Sequence, residues 1–359
     1  MNRIILIGNG FDLAHGLKTS YKDFITDYWE QIATQFQKAY EDKTLLNESD
    51  GTYKFSNKDI TINKLSYYSN INFDNTSGKK GYDKIIDFLN KFHQPRKNEL
   101  KYTNQFLGQI TNKIINNWVD IELEYYLALN QCLTGEPGYR IEQLNNEFSL
   151  IKNGLQEYLK KQNTGNITRS TVIAGNIYPE IMHRSIPEGQ NQISINHTLF
   201  LNFNYTNTQN MYFLGKNSDM LIHIHGELGN NENPIIFGFG DEIDEKYKLI
   251  EQKNDNRYLE NIKSMKYSET RNYQNLLSFI NSEIFQIFIM GHSCGVSDRT
   301  LLNTLFEHKN CVSIKIFYHK IDITTDNYND VYKNISRNFT SKPLMREKVV
   351  NKLDCVPLS

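Results

Sequence analysis

Ile4-Ile5-Leu6-Ile7-Gly8-Asn9-Gly10-Phe11-Asp12-Leu13-Ala14-His15-Gly16 stands close to the start of the chain. Four aliphatic side chains in succession suit a buried parallel strand covered on both faces. The run breaks at Gly8 and Gly10, which let the backbone turn sharply and approach a ligand closely. In doubly wound α/β proteins this first turn is where a nucleotide's phosphates rest on a helix N-terminus. The segment predicts an α/β fold with a Rossmann-like parallel sheet, and a nucleotide cradle at Gly8, Asn9, Gly10 and Phe11. Position 13 is Leu, so the segment departs from the dehydrogenase fingerprint, and no acidic residue closes a second strand about twenty residues on. Hydride transfer is therefore not expected.

Beyond this turn the pattern becomes helical. Phe24, Tyr28, Ile32, Phe36 and Tyr40 recur every four residues, with Ile25, Trp29 and Ala33 beside them, a wide apolar stripe on one long helix. Ser20 followed by Asp23 predicts a capping box at its start. Residues 47–80 are polar and read as a long loop around a small hairpin, followed by helices over 82–93, 99–133 and 140–162. Strand-like runs return at Thr198–Asn204, Met220–His225, Pro234–Phe237, Ile284–Met290 and Val312–Tyr318. Helical segments fall between them at 243–265, 270–281 and 298–308. Alternating strand and helix argues a parallel sheet. Residues 1–20 and 195–359 are thus expected to form the sheet domain, with 21–194 a mostly helical insertion.

The balance of 40 basic against 41 acidic residues gives a net charge of -1, with no electrostatic footprint for nucleic acid or a membrane surface. The N-terminal apolar stretch is too short for a signal-peptide core or a membrane span, so a cytoplasmic protein is expected. Cys132, Cys294, Cys311 and Cys355 form no Cys-x-x-Cys pair. They read as reduced thiols, with no zinc ribbon and no metal expected.

Three further segments carry candidate chemistry. Leu201-Asn202-Phe203-Asn204-Tyr205-Thr206-Asn207 puts polar amides at a strand's carboxyl end, which faces the ligand crevice in open α/β sheets, or else forms an Asx turn. In Ile222-His223-Ile224-His225-Gly226, strand alternation sets His223 and His225 on one face. A metal pair lacks a third ligand nearby. One core and one surface histidine is the plain alternative. A single base at His225, with Gly226 giving a substrate close access, is the catalytic reading. Ile287-Phe288-Ile289-Met290-Gly291-His292-Ser293-Cys294-Gly295 matches the G-x-S-x-G nucleophile elbow. That fold needs an acid and then a histidine downstream of the serine, and His319 precedes Asp322, the wrong order. The alternative is a second glycine-rich turn on the same nucleotide, with Asp298 capping a helix or touching a ribose. Trp118 and Glu122 share a face of the middle helix and read as a buried aromatic beside a solvated carboxylate.

The order of these motifs resembles the NAD-binding core of sirtuins. Residues 8–17, GNGFDLAHGL, resemble the sirtuin opening at its three glycines. Asn204 falls at the sirtuin Asn, His225 at the His before Gly, and Gly291 to Ser293 at the later G-T-S. The chain lacks the sirtuin zinc ribbon, has Asp12 where sirtuins have Ser, and lacks P-D-F-R after Gly16. More closely, IGNGFDLAHGLKTSYKDF, the Trp118–Glu122 segment, FNYTNT, HIHGEL and GHSCGVSD resemble the AbiH family of bacterial abortive-infection proteins. The resemblance implies antiphage defence by cleavage of the nicotinamide–ribose bond of NAD⁺, with Asn204 and His225 catalytic. Gly8, Asn9, Gly10, Phe11, Asp12, His15, Thr206, Gly226, Gly291, Ser293 and Asp298 would hold the dinucleotide. The size of the helical insertion makes it the natural place for self-association or for sensing a phage-derived trigger, so a homo-oligomer is expected. A serine hydrolase using Ser293, and a module that senses ADP-ribose without turnover, are the alternatives.

Overall fold

The computed structural model describes residues 1–47, 49, 51–65, 100–115, 120–135, 138–162, 167–177, 194–213 and 219–359. The chain divides into two compact units. One comprises Met1–Thr19, Leu133–Glu136 and Leu159–Ser359; the other comprises Ser20–Cys132 and Pro137–Tyr158. The stretch expected to close the insertion therefore belongs in part with the sheet. The reason is visible in the helix Thr171–Ile177, whose Ile173 and Ile177 are buried against the sheet residues Ile5, Ile7 and Phe200.

The first unit holds a five-stranded parallel sheet. Its strands are β1 (Asn2–Ile7), β2 (Thr198–Asn202), β3 (Asp219–His223), β4 (Phe285–Met290) and β5 (Cys311–Phe317). They lie in the order β3-β2-β1-β4-β5, every neighbour parallel. This is the doubly wound order, which reverses between β1 and β4. The continuous apolar run in β1 serves both faces. Ile4 and Leu6 pack with Leu199, Leu201, Ile287 and Ile289 on one side. Ile5 and Ile7 pack with Phe200, Phe288 and Met290 on the other. Alternating side chains of one strand thus enter two cores.

Four of the expected later strands form, each within a few residues of its expected bounds. Pro234–Phe237 does not. That segment is irregular, and the nearest ladder contact among the described residues comes two residues on, a bridge from Phe239 to Ile262. The helix expected over 243–265 is broken into Glu245–Gln252, a short turn at Asn256–Tyr258, and α-helical Lys263–Lys266. Helices Tyr328–Asn338 and Lys342–Lys348 follow β5 and had no counterpart in the sequence reading.

In the second unit, Ser20 caps the helix Tyr21–Glu41 with the expected reciprocal bonds to Asp23. The stripe from Phe24 to Phe36 is buried on one face. Tyr53–Ser56 and Ile60–Leu65 form the antiparallel hairpin of a four-stranded sheet completed by Leu46–Asn47 and Leu100–Tyr102. The single helix expected over 99–133 is instead that last strand and two helices, Gln105–Ile115 and Ile121–Thr134. Glu122 is buried in the second of these rather than solvated. Trp118 and the helix expected over 82–93 lie outside the described residues. No helix among the described residues is long and apolar enough to cross a membrane.

Candidate active site

Because the sheet is parallel, the turns after β1, β2, β3 and β4 emerge at one edge, and those after β1 and β4 flank the point where strand order reverses. These two turns interlock. The Gly8 N–H donates to Met290 O at 3.3 Å and the Gly10 N–H to Gly291 O at 2.8 Å. The Phe11 N–H donates to Gly8 O at 2.8 Å. A Cβ on Gly8 would lie 2.5 Å from His292 Cα, and one on Gly291 would lie 2.0 Å from Phe11 N. The glycines therefore let two backbones meet. This corrects the expected phosphate cradle, since the amides of Gly8, Gly10 and Phe11 are already engaged by the protein. Asn9 is exposed, and its Oδ1 accepts from Thr19 Oγ1 at 2.5 Å. Gly291 also sits at φ +79°. Gly291→Ala is expected to lose about 1–2 kcal/mol from left-handed backbone strain alone, with the overlap added. Urea unfolding reads the loss, and a variant as stable as the parent refutes the packing role.

Asp12 lies inside the first turn of α1 (Asn9–Ala14), whose N-cap is Gly8, so it is not the helix cap. It is buried, and its Oδ2 accepts from Thr206 Oγ1 at 2.5 Å. Burial raises its carboxyl, against the pull of Thr206, Thr208 and Asn204. The Asn204 carboxamide donates from Nδ2 to Gly8 O at 3.0 Å, and its backbone N–H donates to Asn202 Oδ1 at 2.9 Å. Its Oδ1 takes no donor among the described residues. Asp12, Thr206 and Asn204 are thus gathered beneath the β1 turn. His15 braces a separate aromatic group: Nδ1 meets Phe11 O at 2.7 Å and Nε2 meets Tyr212 OH at 2.6 Å.

The two histidines of the His-x-His motif serve different groups. β3 ends at His223, so strand alternation does not carry through to His225. The His223 ring lies between the amides of Asn202 and Gln209, at 3.2 and 3.0 Å. Gly226 sits at φ +82°, where a Cβ would lie 2.1 Å from Pro234 O. It admits a neighbouring backbone carbonyl, where the sequence reading gave that space to a substrate.

His225 reaches a buried cluster centred on Asp298. Lys263 Nζ is 2.7 Å and His225 Nε2 3.3 Å from the same Asp298 Oδ1, and His292 Nε2 is 3.5 Å from Oδ2. Tyr267 OH stands 3.4 Å from His225 Nε2, and the Phe203 ring packs edge-on against both imidazoles. The Asp298 side chain caps nothing; it is the hub of this group. Burial alone would raise its carboxyl, but Lys263 and then His225 and His292 hold it well below the usual carboxylate range. Burial, followed by the Lys263 ammonium, lowers His225 to about 4 against the attraction of Asp298. At neutral pH, His225 is a neutral ring beside a carboxylate.

The two imidazoles differ in what remains free. His292 Nδ1 accepts from the Cys294 N–H at 2.9 Å, so its ring proton is on Nε2 and both nitrogens are used. His225 Nε2 is engaged, while its Nδ1 has no partner among the described residues. Only His225 has a lone pair to offer. Lys263, Tyr267 and His292 escaped the sequence reading; His292 stood inside a quoted motif but only as its variable position.

Ser293 is exposed, and its only hydrogen bond among the described residues is from Asn334 Nδ2 to its backbone carbonyl. No imidazole reaches its Oγ among the described residues. The left-handed non-glycine residue of this turn is Cys294, at φ +55°, and burial pushes its thiol up. The elbow geometry that a serine nucleophile needs is not formed here. No group of three or more His, Cys, Asp or Glu side chains able to hold a metal occurs among the described residues.

A family model described as "Bacteriophage abortive infection AbiH" matches residues 4–320. No curated protein and no solved structure matches the chain.

Proposed function

This chain belongs to the AbiH family and is a phage abortive-infection protein, and from that premise we propose that it cleaves the nicotinamide–ribose bond of NAD⁺ in a sirtuin-like site. The supporting observation is the His225 ring, neutral, tethered through Nε2 to Asp298, with Nδ1 open, at the same sheet edge as the Asn204 carboxamide. In this reading the C1′–N bond breaks with its electron pair passing to the pyridinium nitrogen, so nicotinamide leaves neutral and needs no acid. The transition state is oxocarbenium-like, as in glycoside hydrolysis. Water adds to C1′ and gives its proton to His225 Nδ1, yielding ADP-ribose. Asn204 Oδ1 accepts from that water or from a ribose hydroxyl. Asp12 holds a ribose. The pyrophosphate is carried outside the engaged amides of the β1 turn. Self-association and trigger sensing fall to the unit of the long capped helix.

The test is incubation of the purified protein with NAD⁺, with and without phage lysate. Equimolar nicotinamide and ADP-ribose are expected. Tight ADP-ribose binding with no nicotinamide in any oligomeric state would make the site a sensor. Fluorophosphonate labelling of Ser293 would favour the hydrolase instead.

A further inference from the structure

Lys263 is a lysine with 1% of its side chain exposed, and burial of an ammonium is tolerated only beside a partner. A glycine-rich segment, Phe237-Gly238-Phe239-Gly240-Asp241, builds its seat. Lys263 N–H donates to Phe239 O at 3.0 Å, and Phe239 N–H donates to Asn261 O at 3.1 Å. A Cβ on Gly238 would lie 2.0 Å from Asn261 O, and one on Gly240 would lie 2.9 Å from Ser297 O. Thr300 N–H donates to Gly240 O at 3.0 Å, tying the same segment to the helix that starts after Asp298. The segment therefore sets the spacing between the lysine and the aspartate.

We propose that Lys263 is a positioning residue that acts through Asp298, keeping the His225 ring uncharged with its proton on Nε2 and its lone pair on Nδ1. Lys263 and His225 address one oxygen, Asp298 Oδ1. One carboxylate charge balances one cation. With the ammonium in place, protonating His225 would leave a surplus positive charge among buried groups. The other groups facing His225 cannot absorb it: His292 spends its donor on the far oxygen of Asp298, Tyr267 offers a hydroxyl, and Phe203 offers a ring edge. Remove the ammonium and the bare Asp298 carboxylate draws a proton onto His225. The lowering of His225, to which Lys263 contributes next after burial, agrees with this geometry.

The inference rests on the NAD⁺ reading only for its activity arm. The decisive measurement is ring-¹⁵N histidine NMR of the whole chain, with His225 assigned by its loss in His225→Asn. In the parent, His225 is expected at neutral pH as the Nε2–H tautomer. In Lys263→Met its titration midpoint is expected to rise by about 1–3 pH units, whereas Lys263→Arg retains the parent behaviour. A charged or Nδ1–H ring in the parent at neutral pH overturns the proposal, and so does an unmoved midpoint in a folded Lys263→Met. If that variant fails to fold, the parent's tautomer still decides. The acid limb of kcat/KM for NAD⁺ should move up with the midpoint. A merely structural lysine would lower turnover at every pH and leave that limb in place. If NAD⁺ is not cleaved while the tautomer and midpoint behave as stated, the NADase reading fails and the role of Lys263 stands.

Discussion

Asp298→Ala should lose about 3–5 kcal/mol of folding stability, the range for breaking one side of a buried ion pair. The carboxylate is held among groups with almost no access to water. Its removal leaves the Lys263 ammonium, 1% exposed, without its counter-charge. It also strips an acceptor from His225 Nε2 and His292 Nε2. Most of the loss arises from the buried ammonium that no longer faces the Asp298 carboxylate, so the double variant Asp298→Ala with Lys263→Met should recover a large part of it. Such non-additivity is expected of residues in one network. Urea unfolding of the two single variants and the double variant measures the coupling. A loss below about 1 kcal/mol for Asp298→Ala would mean that the pair is solvated like a surface salt bridge.

The sheet was legible because its signal is local. Ile4 to Ile7 form an apolar run that only a strand covered on both faces can use, and the later runs at 198–204 and 284–290 repeat that logic. The capping box at Ser20 was legible for the same reason, since its two partners stand three residues apart. The Asp298 cluster was not. Lys263 and Asp298 are 35 residues apart, and each looks ordinary in its own neighbourhood. Period-2 alternation misled at His223 and His225 because the strand ends between them, and a positive-φ glycine then turns the chain. Gly8 and Gly10 misled more instructively. A glycine pair after a strand reports that something approaches the backbone closely, but not what; here it is the turn after β4. Two glycine-rich strand-end motifs in one parallel sheet were each read as facing a ligand, when each is also the other's neighbour.

His225→Ala should lower NAD⁺ cleavage by on the order of 10²–10⁴, the usual worth of a positioned general base. The variant should stay folded, since the Lys263–Asp298 pair and the His292 bonds survive it. Its acid stability supplies a second readout. In the parent, His225 is neutral in the folded state down to about pH 4, whereas an unfolded histidine takes up a proton near 6.5. Between those values the unfolded chain binds more protons, so stability is full above 6.5 and falls as pH drops towards 4. His223 and His308, whose values are also lowered, tilt the curve in the same direction. His225→Ala should therefore flatten the slope without abolishing it. Unaltered nicotinamide release with a flattened slope would retain the buried neutral ring but remove its catalytic role. Lost release with an unaltered slope would mean that folding does not shift His225 from its ordinary 6.5, so that the ring is protonated over the same acid range as in the unfolded chain and its lone pair is lost there.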